Sequence, residues 1–296
     1  MNKLPLEKRI QIIRCLVEGN SIRGTARLCD VVKNSVIKLL CEVGEAVWAY
    51  QDATLINLNG RRWQLDEIWS FVGAKQKNVP EHRKGEAGDV WTWVALDADS
   101  KLVGSFYVGG RGSDSAIAIA DDLAKRLANC VQITTDGHRA YLEAIEGAFG
   151  SDVDYAQLVK LYGEAPESSK GKYSPAECIG AKKERVEGKP DMAHVSTSYV
   201  ERQNRTMRMG MRRFTRLTDA FSKKIENHAF AVSLHFMYYN FCRVHQSLRI
   251  TPAMAAGISK SIMDVADIVR ISDEYWTNKN PPKPRGPYKK RDEISK

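Results

Sequence analysis

The chain has 296 residues, with 45 Lys and Arg against 36 Asp and Glu, a net charge of +9. That length supports a substantial core and either one large domain or two to three small ones, and the positive balance points to an anionic partner, of which nucleic acid is the usual one. No apolar stretch is long enough to span a bilayer, the start MNKLPLEKRI lacks the apolar run of a signal peptide, and the scattered cysteines form no C-x-x-C pair. The composition therefore excludes a membrane protein and a structural zinc site and reads as cytoplasmic, with reduced thiols.

The first 50 residues predict helices throughout. Ile10, Ile13, Leu16 and Val17 recur at helical spacing, Gly19-Asn20 closes that helix, and Ser21 caps a second over Ile22 to Cys29. A tight turn at Asp30 to Lys33 leads to a third helix with Val36, Ile37, Leu39 and Leu40 as its apolar positions. Two short helices, a turn and a helix opening with Lys33, Asn34, Ser35 and Lys38 form a helix-turn-helix layout, whose third helix enters the major groove of double-stranded DNA with those four side chains nearest the bases or phosphates. A small helical bundle that binds nothing would share the same apolar pattern.

After a linker over 51–60, the pattern turns to strands. Trp63–Gly73 alternates and is rich in aromatic and aliphatic residues, 74–89 is a polar hairpin loop, and Val90–Asp97 and Leu102–Val108 complete a meander. A helix from Ser113 to about Ala128, a strand over Val131–Asp136, a helix over Arg139–Phe149 and a strand over Val153–Leu161 follow. This β-β-β-α-β-α-β order is that of the ribonuclease H-like fold, an α/β class with a mixed five-stranded sheet and flanking helices. Residues 164–198, with Pro166, Pro175 and Pro190, read as a loop-rich insertion. An Arg-rich helix opens at Tyr199 or Val200, a long apolar helix spans Phe221–Phe241, a helical cap occupies 259–276, and a basic, Pro-rich, disordered tail runs over 277–296.

Three acids stand out by position. Asp66 lies in mid-strand between apolar neighbours, where a charge needs a reason. Asp136 ends the fourth strand in T-T-D-G-H-R-A-Y, and Glu201 heads the basic helix. At helical spacing Glu201, Arg205, Arg208 and Arg212 share a face. Each has an ordinary reading too: Asp66 could pair with a buried Arg and has Glu67 beside it as a rival, Asp136 could cap the helix near His138, and Glu201 could pair with Arg205 on the surface. His138 and His245 read as hydrogen-bonding supports. In the ribonuclease H-like order the first and fourth strands are neighbours, so their acids meet, and a helix across the sheet supplies the third. A carboxylate set without His or Cys favours Mg2+ or Mn2+, and two such ions serve phosphoryl transfer while the Arg side chains hold phosphates.

The segments L-D-E-I-W-S-F-V, T-T-D-G-H-R-A-Y, S-T-S-Y-V-E-R-Q-N-R-T-M-R, F-S-K-K-I-E-N-H and F-M-Y-Y-N-F-C-R-V-H-Q-S-L-R-I-T-P-A-M-A-A-G-I together resemble the DDE-type transposases of bacterial insertion sequences, the IS-one group above all. The resemblance implies a catalytic domain over 61–258, metal-dependent strand cleavage and joining, and Asp66, Asp136 and Glu201 as the acidic, metal-binding triad. Asn204 and Arg208 also match by position. Water would attack first to free a 3′-hydroxyl, which then attacks target DNA, and pairing of two element ends implies a homo-oligomer on DNA. Members of this group often carry a cysteine zinc motif ahead of the helix-turn-helix; that motif is absent here. The alternatives are a nuclease that cuts without joining and a non-catalytic helix-turn-helix regulator.

Overall fold

The computed structural model describes residues 3–163, 178–215 and 218–281. Helices α1 (Leu6–Val17), α2 (Ile22–Leu28) and α3 (Lys33–Thr54) precede strands β1 (Arg62–Val72), β2 (Gly88–Asp97) and β3 (Val103–Gly109). Then come α4 (Ser113–Arg126), β4 (Val131–Asp136), α5 (Ala140–Phe149), β5 (Val153–Tyr162) and β6 (Cys178–Glu187). The chain continues through α6 (Ser198–Gly210), α7 (Ile225–Met237), α8 (Pro252–Ala255) and α9 (Val265–Lys279). No helix among the described residues is long and apolar enough to cross a membrane.

The strands form one mixed sheet in the order β3-β2-β1-β4-β5-β6. β1, β4 and β5 run parallel, and β2, β3 and β6 run against their neighbours. This arrangement is compatible with a nuclease or transposase fold. The sheet has six strands, one more than the sequence predicts, because β6 lies inside the stretch read as loop. The signal was missed for a physical reason: β6 reads C-I-G-A-K-K-E-R-V-E, is exposed along most of its length, and borrows its structure from pairing with β5. A solvated edge strand needs no apolar alternation, and its charges guard the open edge. The remainder of that predicted loop, 164–177, lies outside the described residues, as does the tail beyond residue 281.

Side chains alternate along β1, so its two faces meet different layers. Leu65 and Glu67 face α4 and α5; on the neighbouring β2, Trp93 packs edge-on against Tyr141 of α5, with ring centroids 5.2 Å apart. Gln64, Asp66 and Ser70 face α6 and α7. Fully buried His228 of α7 bridges Ser70 Oγ at 3.2 Å and Ser222 Oγ at 3.0 Å, and burial lowers its pKa to about 3, so it is neutral. The predicted long apolar helix splits into α7 and a π-turn over Tyr238–Cys242. From that turn the Asn240 amide accepts from Val103 N and donates to Val103 O, closing part of the edge of β3.

The amino-terminal helices follow the predicted boundaries closely at their start, with Ser21 Oγ accepting from Gly24 N at 3.0 Å as an N-cap. α3 runs on to Thr54, through the first residues of the predicted linker. It lies along α7, where Gln51 Nε2 donates to Ser233 O at 3.1 Å, and α9 binds across α1 and α3 through an Arg9–Asp273 fork and a Trp276 Nε1 bond to Glu42 O.

Two helical glycines give opposite expectations. A Cβ on Gly44 of α3 would meet Phe230 Cβ at 2.4 Å and its backbone carbonyl at 2.7 Å, so the helices touch through that gap. Gly44→Ala therefore loses about 1–3 kcal/mol of stability by overpacking, whereas Gly147→Ala, whose Cβ meets nothing within 4 Å on α5, gains about 0.5–1 kcal/mol of helix propensity. Urea unfolding midpoints check both signs.

Candidate active site

The site begins with a register. Parallel pairing sets Leu65 of β1 opposite Thr135 of β4, and one residue further along each strand are Asp66 and Asp136. β4 ends there, so from Asp66 β1 runs on with no strand beside it on that side until Val72 bridges Ser222, and Glu67 next door turns its carboxylate toward the same place. Ligand atoms of Asp66, Glu67 and Asp136 all lie within 4.8 Å of one another. They open on a cleft of about 690 Å³ that Arg111, His138, Lys160, Glu201, Asn204 and Arg208 also line.

Each carboxylate has a distinct holder. Asn204 Nδ2 donates to Asp66 Oδ2 at 2.8 Å from α6. Glu67 is buried and takes Arg111 at 3.0 Å on one oxygen and the Tyr141 hydroxyl at 3.3 Å on the other. Asp136 Oδ1 accepts from His138 N at 3.0 Å, while His138 Nδ1 in turn accepts from Ala140 N as α5 opens. Asp136 thus holds the turn ahead of α5 and does not cap the helix, whose N-cap is Arg139, and the His138 ring accepts a hydrogen bond at the helix start.

Position along α6 is set from β1. The Gln64 side-chain oxygen accepts from the N–H groups of Tyr199 and Val200 at 2.9 and 3.1 Å, satisfying donors that a helix start leaves unpaired. Val200, Gln203, Asn204 and Met207 are the buried positions, which turns Glu201, Asn204 and Arg208 toward the cleft. The Glu201 carboxylate accepts from Lys160 Nζ of β5 at 2.7 Å and from the Thr197 hydroxyl. Glu201 therefore shares the cleft with the other acids but stands outside their 4.8 Å group and is held in an ion pair with Lys160 rather than with Arg205. Of the face foreseen for Glu201, Arg205, Arg208 and Arg212, the first three lie at helical spacing on α6, with Arg205 exposed; α6 ends at Gly210, so Arg212 sits in the following 3-10 turn.

Of the four residues expected to contact DNA from the third helix, Lys33, Asn34 and Lys38 are exposed at the start of α3, and Ser35 is half-buried. Lys38 lies 3.6 Å from Glu42. Lys33 and Arg212 line one cavity of about 630 Å³ together with Arg23, Arg213 and Lys223. Arg213 is deeply packed there, and burial lowers its guanidinium to about 10.

Sequence reading missed Arg111, Tyr141 and Lys160. Lys160 was legible on the logic that picked out Asp66, since it is a charge inside the apolar run L-V-K-L. Arg111 had only its isolation in the turn G-G-R-G-S, and Tyr141 looked like any core aromatic.

Burial raises the Asp66 carboxyl to about 7, helped by the charges of Glu67 and Asp136 and opposed by the Asn204 hydrogen bond. Burial, and then Asp136, also raises Glu67 against the pull of Arg111. Burial depresses the Lys160 ammonium, but its hydrogen bond to Glu201 and the charges of Glu201, Tyr162 and Asp66 together leave it raised.

No family model matches the chain, and no curated protein matches it. Among solved structures, a cryo-electron microscopy structure of the piggyBac transposase synaptic complex with hairpin DNA is similar at 11% identity and a TM-score of 0.37, over 94% of this chain and 72% of that one. A similarity of that size leaves the chemistry to be argued from the cleft itself.

The Asp66 shift carries a pH signature. The unfolded chain ionises this carboxyl near pH 4, whereas the folded protein keeps the proton until about pH 7. The stabilising protonated form is complete below pH 4 and lost as pH rises through 7, with a ceiling of about 4 kcal/mol before water penetration reduces it. In EDTA, Asp66→Asn melts above wild type at pH 8, and the gap closes by pH 4; a gap independent of pH would contradict the assignment. Calorimetric melting across that range measures it.

Proposed function

We propose that the protein is a DNA transposase that cleaves and joins strands at the ends of a mobile element, with Asp66, Asp136 and Glu201 as its acidic triad on a ribonuclease H-like scaffold. The observation that carries this reading is the cluster of Asp66, Glu67 and Asp136 oxygens within 4.8 Å, in a cleft whose other charged side chains include Arg111, Lys160 and Arg208. Clustered acids beside cations suit a phosphate brought to a hard metal ion, and the order β3-β2-β1-β4-β5 supports the scaffold.

The residues fit Mg2+ or Mn2+. Their donor atoms are all oxygen, their mutual repulsion in a partly buried space favours a small cation, and the buried Asn204 Oδ1 beside them has no hydrogen-bond partner. Asp66, Glu67 and Asp136 would hold the ion, and Glu201 is the further ligand from the same cleft. Such an ion supplies Lewis-acid stabilisation to charge developing on a transferring phosphate. Arg111, Lys160 and Arg208 bind the phosphate oxygens and hold the strand in line. Asn204 fixes Asp66, and Tyr141 with Arg111 fixes Glu67, so neither carboxylate reorganises during transfer. Water breaks the phosphodiester and releases a 3′-hydroxyl, which attacks a phosphate of the target strand and displaces that strand's own 3′-oxygen as a hydroxyl.

The amino-terminal region 1–50 is the helix-turn-helix unit, in which Lys33, Asn34, Ser35 and Lys38 contact double-stranded DNA at the element ends, separate from the catalytic region 61–258. Arg205 and Arg212 hold DNA backbone outside the cleft. Two ends held together make the working form a homo-oligomer on DNA.

The test is a cleavage and strand-transfer assay with Mg2+ on DNA flanking the gene. Asp136→Ala and Glu201→Gln reduce nicking and joining by at least about a hundredfold while DNA binding persists, and EDTA abolishes both reactions. Wild type that nicks without joining indicates a nuclease, and wild type that binds but never cuts sinks the enzyme reading. Glu67→Gln, run alongside, tells whether Glu67 or Glu201 is the third essential acid.

A further inference from the structure

β1 and β2 outrun the rest of the sheet. β1 pairs with β4 only as far as Leu65, yet its pairing with β2 continues to Val72. Beyond the acidic cluster the two strands therefore project as a ribbon, and α5 covers the face of Glu67 only as far as Trp93 and Tyr141. Past that point the same face carries Trp69 and Phe71 of β1 and Trp91 of β2. Trp69 and Trp91 are register partners, and Phe221 closes on Phe71 with ring centroids 4.7 Å apart. All four rings are half-buried.

Cations overlie this row of rings. The Arg111 guanidinium lies 4.5 Å from the Trp91 ring while the N–H groups on its edge donate to Glu67. Lys75 Nζ sits 5.9 Å from the Trp69 ring and Lys223 Nζ 3.5 Å from that of Phe221. Arg111 thus belongs both to the acidic cleft and to the aromatic row, which makes the two surfaces continuous. At about 3.3 Å per strand residue, Trp69 lies roughly 7 Å from Glu67, about the spacing between neighbouring nucleotides.

A half-exposed row of aromatic rings with cations over it matches the two needs of an unpaired strand, a π-surface for the base once a mobile cation swings aside and positive charge for the backbone. We propose that Trp69, Phe71, Trp91 and Phe221 form a stacking platform for unpaired DNA bases flanking the phosphate held at the acidic cluster. This rests on the reading of the cleft as a site of DNA strand transfer. It adds a substrate requirement to that reading: the DNA next to the scissile phosphate is opened, and its bases lie on the ribbon.

Binding of a short fluorescent oligothymidylate to the full chain, in EDTA so that no chemistry intervenes, tests the platform by anisotropy. The Trp69→Ala/Trp91→Ala variant binds it about tenfold more weakly, and Trp69→Phe/Trp91→Phe retains most of the affinity, while duplex of equal length loses little in either. An abasic version of the oligonucleotide binds wild type as weakly as the Ala variant binds the intact one. Variants that melt like wild type yet bind the single strand unchanged overturn the platform, as does an abasic strand that binds normally; the rings then serve only to stiffen the ribbon. If wild type shows Trp-dependent single-strand binding but never cuts or joins with Mg2+, the transposase reading falls while the surface stands. If it cuts and joins while the Trp variants bind and react like wild type, the platform alone falls.

Discussion

Three carboxylates share one end of a β-sheet, and like charges at that distance repel strongly once water is partly removed. Everything around them answers that constraint. Asn204 donates to Asp66, Arg111 and Tyr141 donate to Glu67, and a backbone N–H donates to Asp136. These bonds come from α6, the turn after β3, α5 and the end of β4, so four separate parts of the fold are committed to one small volume. Asp66 is still raised to about 7, which marks the compensation as incomplete. A protein that keeps an unfavourable charge cluster in an open cleft gives up stability there, and such perturbed groups gather where chemistry is done.

The start of the helix across the sheet is fixed by one side chain of β1. Gln64 caps α6 from β1, two residues before Asp66, so the strand that supplies the first acid also sets the helix that supplies Asn204, Glu201 and Arg208. The Lys160–Glu201 pair then adds β5 to the same assembly. On the far side of α7, α3 is locked by the close approach of Gly44 to Phe230 and by Gln51. The amino-terminal helices are in this way packed against the layer that carries α6, while the start of α3, with Lys33, Asn34 and Lys38, stays at the surface.

Much of this was legible along the chain because it is written in local patterns. The alternation in Trp63–Gly73, the turn at Asp99-Ser100 and the Ser21 cap each depend on neighbours a few residues away, and each element formed where those signals lay. Asp66 could be singled out because a charge in an apolar strand is expensive anywhere. β6 was not legible, since its order comes from β5 rather than from its own residues. The helical reading of Glu201 through Arg212 failed at Gly210, because periodicity says which residues share a face but not where the helix stops.

What the sequence determined by itself is the succession of helices and strands as far as β5, the basic character of the chain and the identity of the acids worth watching. All of these follow from propensity, periodicity and the cost of burying charge, which act over short distances. The expected pairing of the first and fourth strands already brought Asp66 and Asp136 together; only the tertiary structure decided which other carboxylate joins them. It joined Glu67 to Asp66 and Asp136 and gave Glu201 to Lys160, because the parallel register of β1 on β4, the early end of β4 and the Gln64 cap are contacts between residues far apart in the chain. The aromatic row of Trp69, Phe71, Trp91 and Phe221 is of the same kind. Read singly these are core residues, and only the length by which β1 and β2 overhang their neighbours leaves them at the surface beside the acids.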